Sequence, residues 1–171
     1  MQDRRNRGII QPPVTFSLEP GQIVLSKEPD IIRTILGSCV SVCLWCAKMK
    51  CGSMNHFMYP RTDNPREATP RYGNASMVAL LRLMYEEGCA REDIVAQLFG
   101  GSFPKGARGR NIGEENIDVA RSYLDRHSIP LVSQDVGGML GRKILFDTQS
   151  GHVAVLKVHS LRAQDWPSVV W

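Results

Sequence analysis

The spacing of apolar and polar residues changes along this chain, and each change marks an element. Val14-Thr15-Phe16-Ser17-Leu18 alternates apolar with polar and predicts a short strand or extended lead-in. Glu19-Pro20-Gly21 reads as a turn and residues 22–25 as a second strand. The densest β-prone stretch covers residues 31–45 and breaks at Gly37-Ser38. It predicts a strand at 31–36, a tight turn at Gly37-Ser38-Cys39 and a continuation through 40–45, with 51–58 as its partner after a turn around 47–50. Pro60, Pro65 and Pro70 then mark an exposed loop. Met77, Leu80, Leu81 and Met84 share one face of a helix that begins at Asn74 and ends at Gly88. A strand at 94–99 leads into Gly100-Gly101. Asn111 followed by Glu114 is a capping-box pattern, and it opens a second helix through about His127, stopped by Ile129-Pro130. A strand at 131–136 follows, and residues 142–146 and 152–158 pair as a hairpin.

At 171 residues the chain suits one domain, long enough to bury a core without disulfides or a structural metal. Hydrophobic residues are 43% and charged residues 22%, in the globular range. No stretch approaches the roughly 18 apolar residues of a membrane helix. The basic N-terminus runs into Pro12-Pro13 rather than an apolar signal segment. The expectation is a soluble, cytoplasmic protein without membrane insertion: a flexible basic arm (1–13), one domain (14–160) and a C-terminal tail (161–171). The net charge of +4 is concentrated in Arg4, Arg5 and Arg7 on the arm and in Lys105, Arg108 and Arg110 in a loop. Such clusters attract an acidic partner surface. Neither interleaves aromatics with its arginines, so no nucleic-acid partner is expected. Of the five cysteines, Cys39, Cys43, Cys46 and Cys51 are crowded together. They read as reduced thiols rather than a disulfide framework, with Cys89 a small buried filler.

Chemistry concentrates at Gly37-Ser38-Cys39-Val40 and at Asn55-His56. Glycine permits a sharp bend, and a cysteine just after it projects its sulfur outward. Backbone amides around such a bend can hold a developing oxyanion. A thiol needs a neighbouring base or imidazolium to become a good nucleophile at neutral pH. Antiparallel pairing of the two β segments brings Cys39 and His56 toward each other. A third polar group must orient the imidazole, and Thr34 is nearby. The plainer reading is that Cys39 is an inert buried thiol and His56 a packed ring. A second alternative is a zinc site from Cys43, Cys46, Cys51 and His56, although Cys43 and Cys46 would point to opposite faces of a strand. The glycine-rich segments at 100–106 and 137–143 match neither a P-loop nor a dinucleotide fingerprint, and read as turns or close backbone approach.

The stretch Leu36-Gly37-Ser38-Cys39-Val40-Ser41-Val42-Cys43-Leu44, followed by Gly52-Ser53-Met54-Asn55-His56-Phe57-Met58-Tyr59-Pro60, resembles the signature of the chemoreceptor glutamine deamidases, the CheD family. The likeness continues through Phe99-Gly100-Gly101, Ile112-Gly113-Glu114-Glu115-Asn116 and the segment from Gly137-Gly138 to Gly141-Arg142-Lys143. It spans about residues 16–160, with the order of segments kept. The resemblance implies a compact α/β (α+β) domain with mixed β-sheets flanked by helices, related to the CNF-like toxin deamidases. It implies hydrolysis of glutamine side-chain amides in methyl-accepting chemotaxis receptors through a glutamyl thioester, with no metal or organic cofactor. Cys39 would be the nucleophile and His56 the base, supported by Gly37, Ser38 and Val40 around the oxyanion. Asn55, Gly100 and Gly101 would meet substrate. The family's third residue is a Thr or Ser just ahead of the turn, where this chain offers Thr34 with Arg33 beside it. A CheC-type phosphatase is a further expected partner. A non-catalytic module that binds receptor or that phosphatase is the alternative function.

Overall fold

Residues 40–46 read as nearly unbroken apolar sequence because the strand they form is covered on both faces. The computed structural model describes residues 13–161. Among them the order is β1 (Thr15–Ser17), β2 (Ile23–Ser26), β3 (Ile31–Leu36), β4 (Val40–Cys46), β5 (Cys51–Asn55), α1 (Gly73–Glu86), β6 (Ile94–Gly100), α2 (Ile112–Arg126), β7 (Leu131–Val136), β8 (Gly141–Asp147) and β9 (Val153–Val158). A four-stranded sheet runs β1-β3-β8-β9 and a five-stranded sheet runs β2-β5-β4-β6-β7. Both sheets are mixed: β1 with β3 and β6 with β7 are parallel, and the other pairs are antiparallel.

The layers follow from side-chain alternation along β4. Val40, Val42, Leu44 and Cys46 point one way, into a core with Met77, Leu80 and Met84 of α1 and Ile117, Ala120 and Leu124 of α2. Cys43 points the other way, into a second core between the sheets with Ile32, Leu36, Met54, Phe99, Ile144 and Phe146. Each such fully buried Leu, Ile or Phe contributes about 1.5–3 kcal/mol, so both faces of β4 are strongly specified. The result is a mixed α/β fold: helices on one face of the five-stranded sheet, and the four-stranded sheet on its other face.

The helix prediction at residue 111 holds in atomic detail. Asn111 Oδ1 accepts the Glu114 amide at 3.1 Å, which satisfies one of the donors a helix start leaves open. The expected turn at Gly37-Ser38-Cys39 does more than reverse or continue a strand. It carries the chain out of the four-stranded sheet, where β3 lies, into the five-stranded sheet, where β4 lies. Leu161, at the head of the expected tail, packs where Gly37 and Gly141 lack a Cβ. Residues 1–12 of the expected arm and 162–171 of the tail lie outside the described residues. No helix among the described residues is long and apolar enough to cross a membrane.

Candidate active site

Parity turns Thr34 and His56 to the layer between the sheets. Thr34 alternates with Ile32 and Leu36 on β3, and both of those face the layer between the sheets. His56 follows β5 with the parity of Met54, which faces the same layer. Cys39 packs at the edge of that core. The crossing from sheet to sheet sets the cysteine at the edge of the inter-sheet core.

The Cys39 bend is held from behind by backbone. Gly101 N–H donates to Cys39 O at 2.8 Å and Ser102 N–H donates to Gly37 O at 2.9 Å. Gly100 has φ +105°, and a Cβ there would lie 2.2 Å from Cys39 O. Only glycine permits both that conformation and that approach. Gly100 and Gly101 are buried. They brace the bend from within instead of forming the substrate surface expected of them.

On the other side, Val40 and Phe57 exchange both backbone hydrogen bonds at 3.0 Å. That pair ties the residue after Cys39 to the residue after His56. Val40 N–H is thereby taken, which removes it from the expected oxyanion donors. The amides of Ser38 and Cys39 donate to no other backbone carbonyl among the described residues, and Ser38 is exposed. They are the candidates that remain.

Between the Val40–Phe57 pair and the Cys43–Met54 pair, a side chain replaces part of the ladder. Val42 N–H donates to Asn55 Oδ1 at 2.7 Å, and Ser41 Oγ donates to Asn55 O. Asn55 Nδ2 donates to Ser76 Oγ of α1 at 3.0 Å. Asn55 has parity opposite to His56 and is fully buried toward the helices. It fixes the end of β5 and does not reach a substrate surface, a correction to its expected role.

The ring of His56 is 2% exposed. Thr34 Oγ1 lies 2.7 Å from Leu18 O and 2.8 Å from His56 Nδ1. A carbonyl oxygen only accepts, so the single hydroxyl proton of Thr34 goes to Leu18. Thr34 Oγ1 must then accept from Nδ1–H. This fixes the neutral tautomer with its lone pair on Nε2, which is buried and has no partner among the described residues. Burial lowers the His56 pKa from 6.5 to about 4, against a smaller upward pull from the Leu18 carbonyl. The ring is a neutral base at neutral pH. Arg33 Nε donates to Ser17 Oγ at 2.8 Å, and Thr34 Oγ1 is the side-chain oxygen that reaches the ring.

Cys39 is half-buried, and burial pushes its thiol up from its ordinary value, with its own amide pulling weakly down. Its thiol and the His56 ring make no hydrogen bond at rest. Cys39 is therefore a thiol rather than a pre-formed thiolate, and His56 a neutral imidazole. A cavity of about 370 Å³ opens on the Thr34 side of His56, lined also by Leu18, Glu19, Arg33 and Leu161; Cys39 does not line it.

The family model described as CheD chemotactic sensory transduction matches residues 58–157. A curated relative from Sulfurimonas denitrificans, named "Probable chemoreceptor glutamine deamidase CheD", is 40% identical over 139 residues, covering 80% of this chain and 89% of its own. The chain belongs to the CheD family. A second relative, "Probable chemoreceptor glutamine deamidase CheD 1" of Anaeromyxobacter dehalogenans, is 42% identical over 136 residues, covering 78% of this chain and 79% of its own. Among solved structures, the hypothetical protein YfiH of Bacillus licheniformis matches with TM-score 0.47 and 11% identity, over 66% of this chain and 49% of that one. The family-model match begins downstream of Thr34, Cys39 and His56.

In this CheD chain the residues of the zinc alternative do not converge. Cys43 lies in the inter-sheet core, Cys46 and Cys51 lie in the helix-facing core, and the His56 ring is turned to Thr34. No group of three or more His, Cys, Asp or Glu side chains able to hold a metal occurs among the described residues. Of the basic loop, Lys105, Arg108 and Arg110 are all exposed, and Arg110 is bound through two nitrogens to Glu115. One contributor to the site was missed in the sequence, the Leu18 carbonyl. A main-chain oxygen leaves no residue-type signal.

Proposed function

We propose that this chain hydrolyses glutamine side-chain amides to glutamate in methyl-accepting chemotaxis receptors, with Cys39 as nucleophile, His56 as general base and acid, and Thr34 orienting the ring. The observation that carries this is the chain of contacts from Leu18 O through Thr34 to His56 Nδ1. It holds a neutral imidazole with Nε2 free, beside the strand pair that positions Cys39.

The steps follow from those protonation states. As substrate enters, the Cys39 proton passes to His56 Nε2 while the sulfur attacks the amide carbon. The carbonyl electrons move to oxygen, and the Ser38 and Cys39 amides stabilise that oxyanion. The tetrahedral species collapses, the C–N bond breaks, and the imidazolium protonates the leaving nitrogen to release ammonia. The glutamyl thioester remains. His56, neutral again, takes a proton from water as the water oxygen attacks the thioester carbon. Collapse then breaks the C–S bond, returns the proton to sulfur and frees glutamate. Water is the only co-reactant.

The alternative reading, a module that binds receptor or a CheC-type phosphatase with weak or no catalysis, draws on one feature, the absent thiol–imidazole hydrogen bond at rest. Mass spectrometry of a receptor signalling fragment incubated with the protein separates the two. The expected result is the mass gain of an amide-to-acid conversion at particular glutamines, lost in Cys39→Ala and in His56→Ala. Full activity in either variant contradicts the mechanism. Binding without any mass gain supports the module.

A further inference from the structure

One buried polar side chain touches both arms of the site without belonging to it. Asn116 sits on the buried face of α2, with Gly113, Ile117, Ala120 and Leu124. It is 0% exposed. Its Nδ2 donates to Ser38 O at 3.0 Å and to Met58 O at 3.0 Å. Ser38 precedes Cys39 directly, and Met58 lies just beyond His56. One nitrogen therefore joins the cysteine bend to the strand exit that carries the histidine.

The rest of the helix start supports the same contact. A Cβ at Gly113 would lie 2.5 Å from Gly101 O and 3.0 Å from Ser102 O. Gly101 and Ser102 are the residues whose amides hold Cys39 O and Gly37 O. The first turns of α2 thus press on the brace behind the bend at one point and bind the bend itself at another.

Asn116 is also an anomaly on its own helix face. Its Oδ1 is buried with no partner among the described residues. A buried amide oxygen left unpaired costs stability, so an apolar residue is the default at such a position. What an apolar side chain lacks is two N–H donors on one atom.

We propose that Asn116 is a positioning residue for the reaction: its amide clasps the Cys39 bend to the His56 segment and sets the direction in which the thiol meets Nε2. The Val40–Phe57 backbone pair fixes the spacing of the two segments. Asn116 adds a second tie on the other side of Cys39, so the bend cannot pivot about the first. This role rests on the reading of Cys39 and His56 given above.

The test compares Asn116→Ala with Ala120→Gly. The second variant weakens the same helix at a buried position that does not touch the bend. Three quantities are read: kcat and KM on a receptor fragment, the pH profile of Cys39 alkylation by iodoacetamide, and the melting temperature. For Asn116→Ala the expected result is a kcat reduced about tenfold or more at nearly unchanged KM, with a displaced alkylation profile. Asn116→Gln, which keeps two N–H donors, is expected to recover part of the kcat. Ala120→Gly should melt lower with both readouts unmoved. A folded Asn116→Ala protein with wild-type kcat and alkylation profile overturns the clasp. If Asn116→Ala does not fold, Asn116→Ser replaces it under the same criteria, and Ser failing to fold as well overturns the positioning role in favour of a purely structural one. Cys39→Ala, run in parallel, keeps the two ideas apart. Activity in Cys39→Ala removes the catalytic reading, whereas an inactive Cys39→Ala beside a fully active Asn116→Ala removes only the clasp.

Discussion

Two cysteine environments in this chain differ in everything but the side chain. Cys46 and Cys51 are register partners across β4 and β5, and Cys51 Sγ lies 3.3 Å from Cys89 Sγ. All three are buried in the helix-facing core. Cys39 stands alone and half-buried where the chain changes sheets. Burial raises the thiols of Cys51 and Cys89, as it raises that of Cys39. A depressed pKa therefore does not single out the proposed nucleophile. What separates Cys39 is geometry: amides at the bend that donate to no backbone carbonyl among the described residues, and a histidine one residue from its strand pair, held in one tautomer by Thr34. Of the interior thiols, Cys51 and Cys89 have each other's sulfur for a neighbour.

The largest effect expected from this contrast is in the cysteine replacements. Cys39→Ala should lower the deamidation rate by about a thousandfold or more while leaving the fold intact. Cys51→Ala and Cys89→Ala should do the reverse: near wild-type kcat, with a stability loss of about 1 kcal/mol each from the missing buried volume, read by denaturant unfolding. Loss of activity in a well-folded Cys51→Ala protein would break the comparison.

Thr34→Val comes next. It keeps the shape of the side chain and removes the hydroxyl, leaving Leu18 O and His56 Nδ1 without their shared partner. A reduction of kcat by about ten- to a hundredfold is expected, with Thr34→Ser closer to wild type. Equal activity in Thr34→Val and wild type would mean that the ring is oriented by other means.

The smallest effect is at the loop. Lys105→Glu with Arg108→Glu should weaken receptor binding at low salt and matter little at high salt, because rim charges act chiefly on encounter. Titration of a receptor fragment at two ionic strengths checks it, and salt-independent weakening would point to a structural cause.

The element pattern was largely legible because local rules govern it. The β-prone run at 31–36 and the strand read at 131–136 returned β3 and β7, and the Asn111 and Glu114 pair returned the start of α2. The changes came where tertiary packing decides. Nothing local says that Gly37-Ser38-Cys39 passes between sheets. Asn55 reads as a substrate-facing polar residue next to the candidate histidine, yet its parity turns it to the helices. Gly100 and Gly101 read as turns or close backbone approach, and the backbone that Gly100 approaches is that of Cys39. Val40 N–H lost its expected role to Phe57, which only the pairing register reveals. The choice of Thr34 over Arg33 was within reach: Ile32, Thr34 and Leu36 alternate as one inward face, with Arg33 on the other.

The protonation state of His56 carries the account. Because burial holds the folded-state pKa near 4 against an ordinary 6.5, the neutral ring's contribution to stability is full above 6.5 and is lost as pH falls toward 4. The most direct measurement is the nitrogen NMR spectrum of the imidazole, titrated through that interval and assigned with His56→Gln. The account predicts one neutral tautomer at neutral pH, proton on Nδ1 and Nε2 unprotonated, persisting until the pH approaches 4. A ring protonated on Nε2, or cationic at neutral pH, would contradict it.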